Sequence, residues 1–138
     1  MIELWDTSAL ILAARGPTVG ELLADAVAAD ELAVNAAILL EYLNGARNVL
    51  EYDRFDAGLG AARLVDTTAG DWDRALSVHR SLAASGPGHQ RSVRLVDLIV
   101  AATAERHGLA VVHYDEDYDR IAAISGQTTR WIVPRGSA

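Results

Sequence analysis

Residues 92–115, SVRLVDLIVAATAERHGLAVVHYD, decide the fold. The run from Ser92 to His107 has the length of a helix and is apolar on nearly every side between Leu95 and Ala102, so it predicts a buried helix. Gly108 sits where a helix-terminating C′ glycine belongs. Residues 109–113 then form a short apolar run that reads as a buried strand. Helix followed by buried strand is half of a parallel β-α-β repeat, and the same alternation continues in both directions. Toward the N-terminus, strands are predicted at 2–5, 32–34 and 64–66. Helices are predicted from Thr7 or Ser8 to Ala14, from Thr18 to Ala29, from an Asn35 cap to Leu50, over 52–62, and from a Thr68 cap over 70–84. Toward the C-terminus, a helix over 116–124 and a strand over 130–133 complete the pattern, and SGPGHQR (85–91) reads as a loop. The alternation predicts a mostly parallel sheet flanked by helices, formed by residues 1–138 as one domain. The closing VPRGSA resembles a protease-site scar, although WIV before it reads as strand.

Two acids in the quoted stretch are out of place. Asp97 interrupts an otherwise apolar run, and Asp115 follows a strand. Asp6 after IELW and Glu41 inside AAILLEYL repeat the anomaly. An ionised acid is costly to desolvate unless it is paired or binds a cation. Asp6 and Asp115 lie at the carboxyl ends of strands, the edge at which open parallel sheets bind ligands. Asp97 near a helix start and Glu41 in a second turn can face the same edge. Oxygen-only ligands suit Mg²⁺ or Mn²⁺. Each acid also has a purely structural reading. Asp6 can cap a helix, Glu41 can face solvent, Asp97 can pair with Arg94, and Asp115 with Asp117 can form a solvated turn. A calcium loop starting at Asp115 is excluded, because its sixth and twelfth positions hold Arg120 and Gly126.

Composition removes other chemistries. All 12 basic residues are arginine, so a P-loop lysine and a Schiff-base lysine are impossible. Phospho-aspartate receivers and haloacid-dehalogenase-type phosphatases, which rely on lysine, are disfavoured by the same count. There are no cysteines, hence no disulfide, thiolate site or cysteine nucleophile, and no pair of histidines has zinc-like spacing. No apolar run approaches a membrane span, and no secretory signal is visible, so a cytoplasmic protein without membrane partners is expected. The net charge of −7 disfavours a simple nucleic-acid binder, suits an acidic cation site, and favours a basic protein partner.

With these residues in place, the chain resembles PIN-domain ribonucleases of the VapC toxin type. WDTSAL (5–10), LLEYLNG (39–45), VDLIVAATAERHGLAVVHYDEDYDRIA (96–122) and TTRWIVP (128–134) carry the resemblance, in order and spacing. It implies a three-layer α/β/α domain with a five-stranded parallel sheet. It also implies a Mg²⁺ or Mn²⁺ centre, endonucleolytic cleavage of RNA such as tRNA or rRNA, a VapB-type antitoxin and a homodimer. By position it assigns Asp6, Glu41, Asp97 and Asp115 to catalysis and metal binding, with Asp117 as a further ligand or supporting acid and Ser8 as a hydrogen-bonding support. Arg47, Arg91 and Arg94 are candidate phosphate contacts. Tyr42 and Tyr114 could stack on bases, although packing is the simpler role, and Trp5, Trp72 and Trp131 are expected in the core. Two positions depart from the family pattern. His113 stands where threonine or serine is usual, and Tyr118 where phenylalanine is usual. His113 is expected to end a buried strand and to bond locally. Alternatives from other classes are a non-catalytic PIN-like module that binds RNA or a partner, and a metal-dependent hydrolase of small phosphates.

Overall fold

In the computed structural model, which describes residues 1–138, five strands form one parallel sheet in the order β3-β2-β1-β4-β5. The strands are β1 (Glu3–Trp5), β2 (Leu32–Val34), β3 (Arg63–Leu64), β4 (Val111–His113) and β5 (Thr129–Trp131). Seven helices connect and cover them: α1 (Thr7–Arg15), α2 (Pro17–Ala28), α3 (Ala36–Leu43), α4 (Val49–Gly58), α5 (Ala69–Ser85), α6 (Leu95–Arg106) and α7 (Asp117–Ser125). The result is the expected three-layer α/β/α domain. The chain winds from β1 through β2 to β3, then crosses back to place β4 on the other side of β1. That reversal opens a crevice between the carboxyl ends of β1 and β4, where a parallel sheet offers its ligand site. Asp6 leaves β1 there with its N–H bonded to Val112 O at 2.9 Å, so the two strand ends are held level.

The core is built from Leu4, Val34, Ile38, Ile99, Val111 and Val112, all buried. Every residue of α6 from Asp97 to Ala104 is buried, as the apolar run predicted. Asn35 caps α3 by accepting from Ile38 N–H at 3.0 Å, and its amide reaches the Thr67 and Thr103 hydroxyls at 3.3 and 3.4 Å. This fully buried side chain ties α3 to α6. Asn35→Ala is therefore expected to cost about 1–3 kcal/mol, combining a lost cap with buried partners left unpaired. Urea unfolding measures it, and an unchanged midpoint would show that the cap contributes nothing.

Three expectations need correction. A single helix from Asn35 to Leu50 does not form; α3 stops at Leu43, and a turn at Asn44 and Gly45 leads to a new cap at Asn48, which accepts from Glu51 N–H at 2.9 Å. Arg47 consequently lies in the connecting turn rather than on the helix that carries Glu41. Second, Ser92 does not open α6. Residues His89–Ser92 form a 3₁₀ turn, Ser92 Oγ donates to His89 O at 2.7 Å, and α6 begins only after Arg94. The reason is a distant acceptor, since Arg94 N–H donates to Asp117 Oδ2 at 2.9 Å. Third, Trp72 is 56% exposed rather than in the core, because its place in the first turn of α5 turns it to a cleft. Helix α1 starts at Thr7, and Asp6 is its cap.

Candidate active site

Three of the predicted acids meet. One carboxylate oxygen from each of Asp97, Asp115 and Asp117 lies within 4.8 Å of the other two. Asp97 comes from the first turn of α6, Asp115 from the loop after β4, and Asp117 from the start of α7. Asp97 is fully buried, and its Oδ2 has no hydrogen-bond partner. Its purely structural alternative, a pair with Arg94, is not formed, because the Arg94 guanidinium binds Glu41 instead. Burial, then the charges and hydrogen bonding of Asp6, Asp117 and Asp115, push the Asp97 carboxyl up to about 8. Burial also raises Asp115. An orphaned carboxylate oxygen in a group of three acids fits a divalent cation, and the all-oxygen donor set suits Mg²⁺ or Mn²⁺.

The other acids are placed differently. Asp6 is buried and joins the group through hydrogen bonds. Its Oδ2 accepts from Ser8 N–H at 3.0 Å and from Ser8 Oγ at 2.6 Å, and its Oδ1 accepts from the Tyr118 hydroxyl at 2.6 Å. Ser8 thus supports Asp6 as expected, and its Oγ also accepts from Tyr114 N–H at 2.9 Å, pinning the β4 loop to α1. Asp117 has both oxygens engaged. Oδ2 holds the start of α6, and Oδ1 accepts from Arg120 at 3.0 Å. Glu41 stands outside the group of three. Its Oε2 pairs with Arg94, while its buried Oε1 has no partner. Glu41 and Arg94 line a cleft of about 940 Å³ with Ala36, Leu40, Trp72 and Leu95. Leu40, Trp72 and Leu95 are largely exposed there, so the cleft wall is an apolar surface beside Glu41.

Of the arginines, Arg94 faces this cleft with a half-exposed side chain. Arg91 is exposed on the 3₁₀ turn and makes no ion pair. Arg47 is clamped by Glu51 through Nε and Nη2 at 3.2 and 2.9 Å. Tyr42 packs on Phe55 and Tyr114 on Trp131, each with ring centres 5.3 Å apart.

The two departures from the family pattern touch each other. The His113 and Tyr118 rings lie 5.0 Å apart. His113 is buried at the end of β4, accepts from Asp115 N–H on Nδ1 at 3.2 Å, and is held neutral because burial lowers its pKa. Tyr118 is fully buried, and burial with the nearby Asp6 and Asp97 charges keeps its hydroxyl protonated. The available signal in the sequence was a hydroxyl added one residue after Asp117, in a helix that begins beside Asp115.

The chain is similar to known proteins over nearly its whole length. The family profile described as PIN domain matches residues 4–124. Ribonuclease VapC18 of Mycobacterium tuberculosis is 42% identical over 137 residues, spanning 99% of both chains. Ribonuclease VapC51 of the same organism is 46% identical over 98 residues, 71% of this chain and 69% of that one. Among solved structures, VapBC-1 from nontypeable Haemophilus influenzae superposes with a TM-score of 0.73 at 16% identity, covering 96% of this chain and 98% of that one. DNA-bound VapBC from Salmonella typhimurium gives a TM-score of 0.71 at 19% identity, covering 96% and 100%. At such identities the superpositions establish the shared fold.

Proposed function

Because the chain belongs to the PIN-domain family, we propose that it is a divalent-metal-dependent endoribonuclease, the toxin of a type II toxin–antitoxin pair, acting on tRNA or rRNA. The observation that carries the reading is Asp97 Oδ2, a buried carboxylate oxygen without a partner inside a group of three acids. Asp97 and Asp115 would hold Mg²⁺ or Mn²⁺, with Asp6 beside them and Asp117 as a supporting acid that fixes α6 against α7. When bound, the ion would neutralise charge on the phosphodiester and lower the pKa of a water. The water's proton needs an acceptor. Glu41, which lines the cleft, would accept that proton. Arg91, which makes no ion pair, and Arg94, whose partner Glu41 lines the same cleft, would bind RNA phosphates, a task the guanidinium fork suits. Arg47, held by Glu51 and not part of the cleft that Arg94 and Glu41 line, is the weakest of the three candidates.

The partner follows from the same cleft. A basic VapB-type antitoxin would lay an apolar segment over Leu40, Trp72 and Leu95 and present an arginine to the acids. The net charge of −7 favours such a partner, and a homodimer is expected by family analogy. No helix is long and apolar enough to cross a membrane; by family analogy the place of action is the cytoplasm.

The test is direct. The purified chain, incubated with tRNA or rRNA and Mg²⁺ or Mn²⁺, should produce discrete fragments bearing 5′-phosphates, and EDTA should stop cleavage. Undiminished cutting in EDTA would exclude the metal mechanism, and intact RNA under all metals would exclude the nuclease.

A further inference from the structure

The mechanism above makes no use of the buried hydroxyl of Tyr118. It lies 2.6 Å from Asp6 Oδ1 and 3.3 Å from Asp97 Oδ1, reaching two acids that come from different elements. An aspartate carboxylate turns easily about its last torsion, so its orientation is set by the donors it finds. Ser8 holds Asp6 by Oδ2 and Tyr118 holds it by Oδ1. Tyr118 also lies 3.3 Å from Asp97 Oδ1, so its single O–H, given mainly to Asp6, is shared with Asp97, while Asp97 Oδ2 has no hydrogen-bond partner. The phenol ring cannot drift, because it is fully buried and packs on the His113 ring.

We propose that Tyr118 is a positioning residue for the divalent ion: its hydroxyl fixes Asp6 and Asp97 by their Oδ1 atoms, so that Asp97 presents Oδ2 to the cation. The proposal rests on the metal reading given above. It differs from a packing role, in which the hydroxyl merely finds the partner that any buried phenol needs. Groups that orient metal-binding carboxylates from outside the coordination sphere typically change metal affinity by about 10–100-fold.

Tyr118→Phe removes one oxygen and keeps the ring. Mn²⁺ affinity, read by electron paramagnetic resonance of the free ion well below the unfolding temperature, should fall by about tenfold. Tyr114→Phe is the control, since that hydroxyl contacts the backbone of Ala138, 3.3 Å away; it should bind Mn²⁺ as the wild type does. Unchanged Mn²⁺ affinity in Tyr118→Phe, even with a lower thermal midpoint, would reduce the residue to packing and overturn the proposal. Absence of Mn²⁺ binding in the wild type would overturn the metal reading and this proposal together. If Tyr118→Phe does not fold, 3-fluorotyrosine is incorporated into Tyr114→Phe protein. There, one buried ring resonance should shift on adding Mg²⁺, and a spectrum insensitive to Mg²⁺ would overturn the proposal.

Discussion

Asp97→Asn is expected to lower RNA cleavage by more than about a hundredfold, since even supporting groups around a metal cost 10–100-fold when removed. The amide keeps the volume and the Oδ1 contact but cannot supply a charged oxygen to a cation. Asp97 is the right position to change because it is the fully buried acid whose Oδ2 has no partner. The same substitution should leave the metal-free protein at least as stable as the wild type at pH 9, because a carboxylate charged in a buried site is replaced by a neutral group. Adding Mn²⁺ should then raise the thermal midpoint of the wild type and not that of the variant. Cleavage assays and thermal unfolding with and without EDTA read both effects. Wild-type cleavage by Asp97→Asn would remove the acid cluster from the mechanism.

The apparent affinity for Mn²⁺ should rise about tenfold per pH unit between pH 6 and 8 and level off above. Asp97 is pushed up to about 8 by burial first, then by Asp6, Asp117 and Asp115. A cation binds the deprotonated carboxylate, so each binding event below that pH releases a proton. Stability of the metal-free fold runs the other way. The folded carboxyl holds its proton more tightly than the unfolded one, whose value is near the ordinary 3.8. The associated stability is therefore complete below pH 3.8, declines as pH rises, and is gone above about 8. Asp115, also raised by burial, adds in the same direction. Calorimetric titration in buffers of different ionisation enthalpy counts the released protons. A pH-independent affinity across this window would contradict the burial of an ionisable Asp97.

Much of this site could be seen before the fold. Periodicity and caps marked the strands at Leu32 and Val111, the Asn35 and Thr68 caps, and the buried α6 interrupted by Asp97, because these are encoded by residues close in sequence. What escaped was decided across elements. The break at Asn44 and Gly45 depended on how α3 and α4 separate, and the start of α6 was set by Asp117, 23 residues away. Arg94 was weighed as a partner for Asp97, three residues on, yet it binds Glu41, 53 residues away.

By itself, the amino-acid order determined the alternation of strand and helix, and with it the acids left at strand ends and on a buried helix. Backbone geometry and apolar spacing act over a few residues, so these features need no knowledge of the rest of the chain. Only the tertiary structure decided which acids meet. The crossover that sets β4 beside β1 gathers Asp97, Asp115 and Asp117, ties Asp6 to them through the Tyr118 hydroxyl, and leaves Glu41 to Arg94. Contacts between side chains depend on the order of strands in space, which no local pattern in the chain specifies.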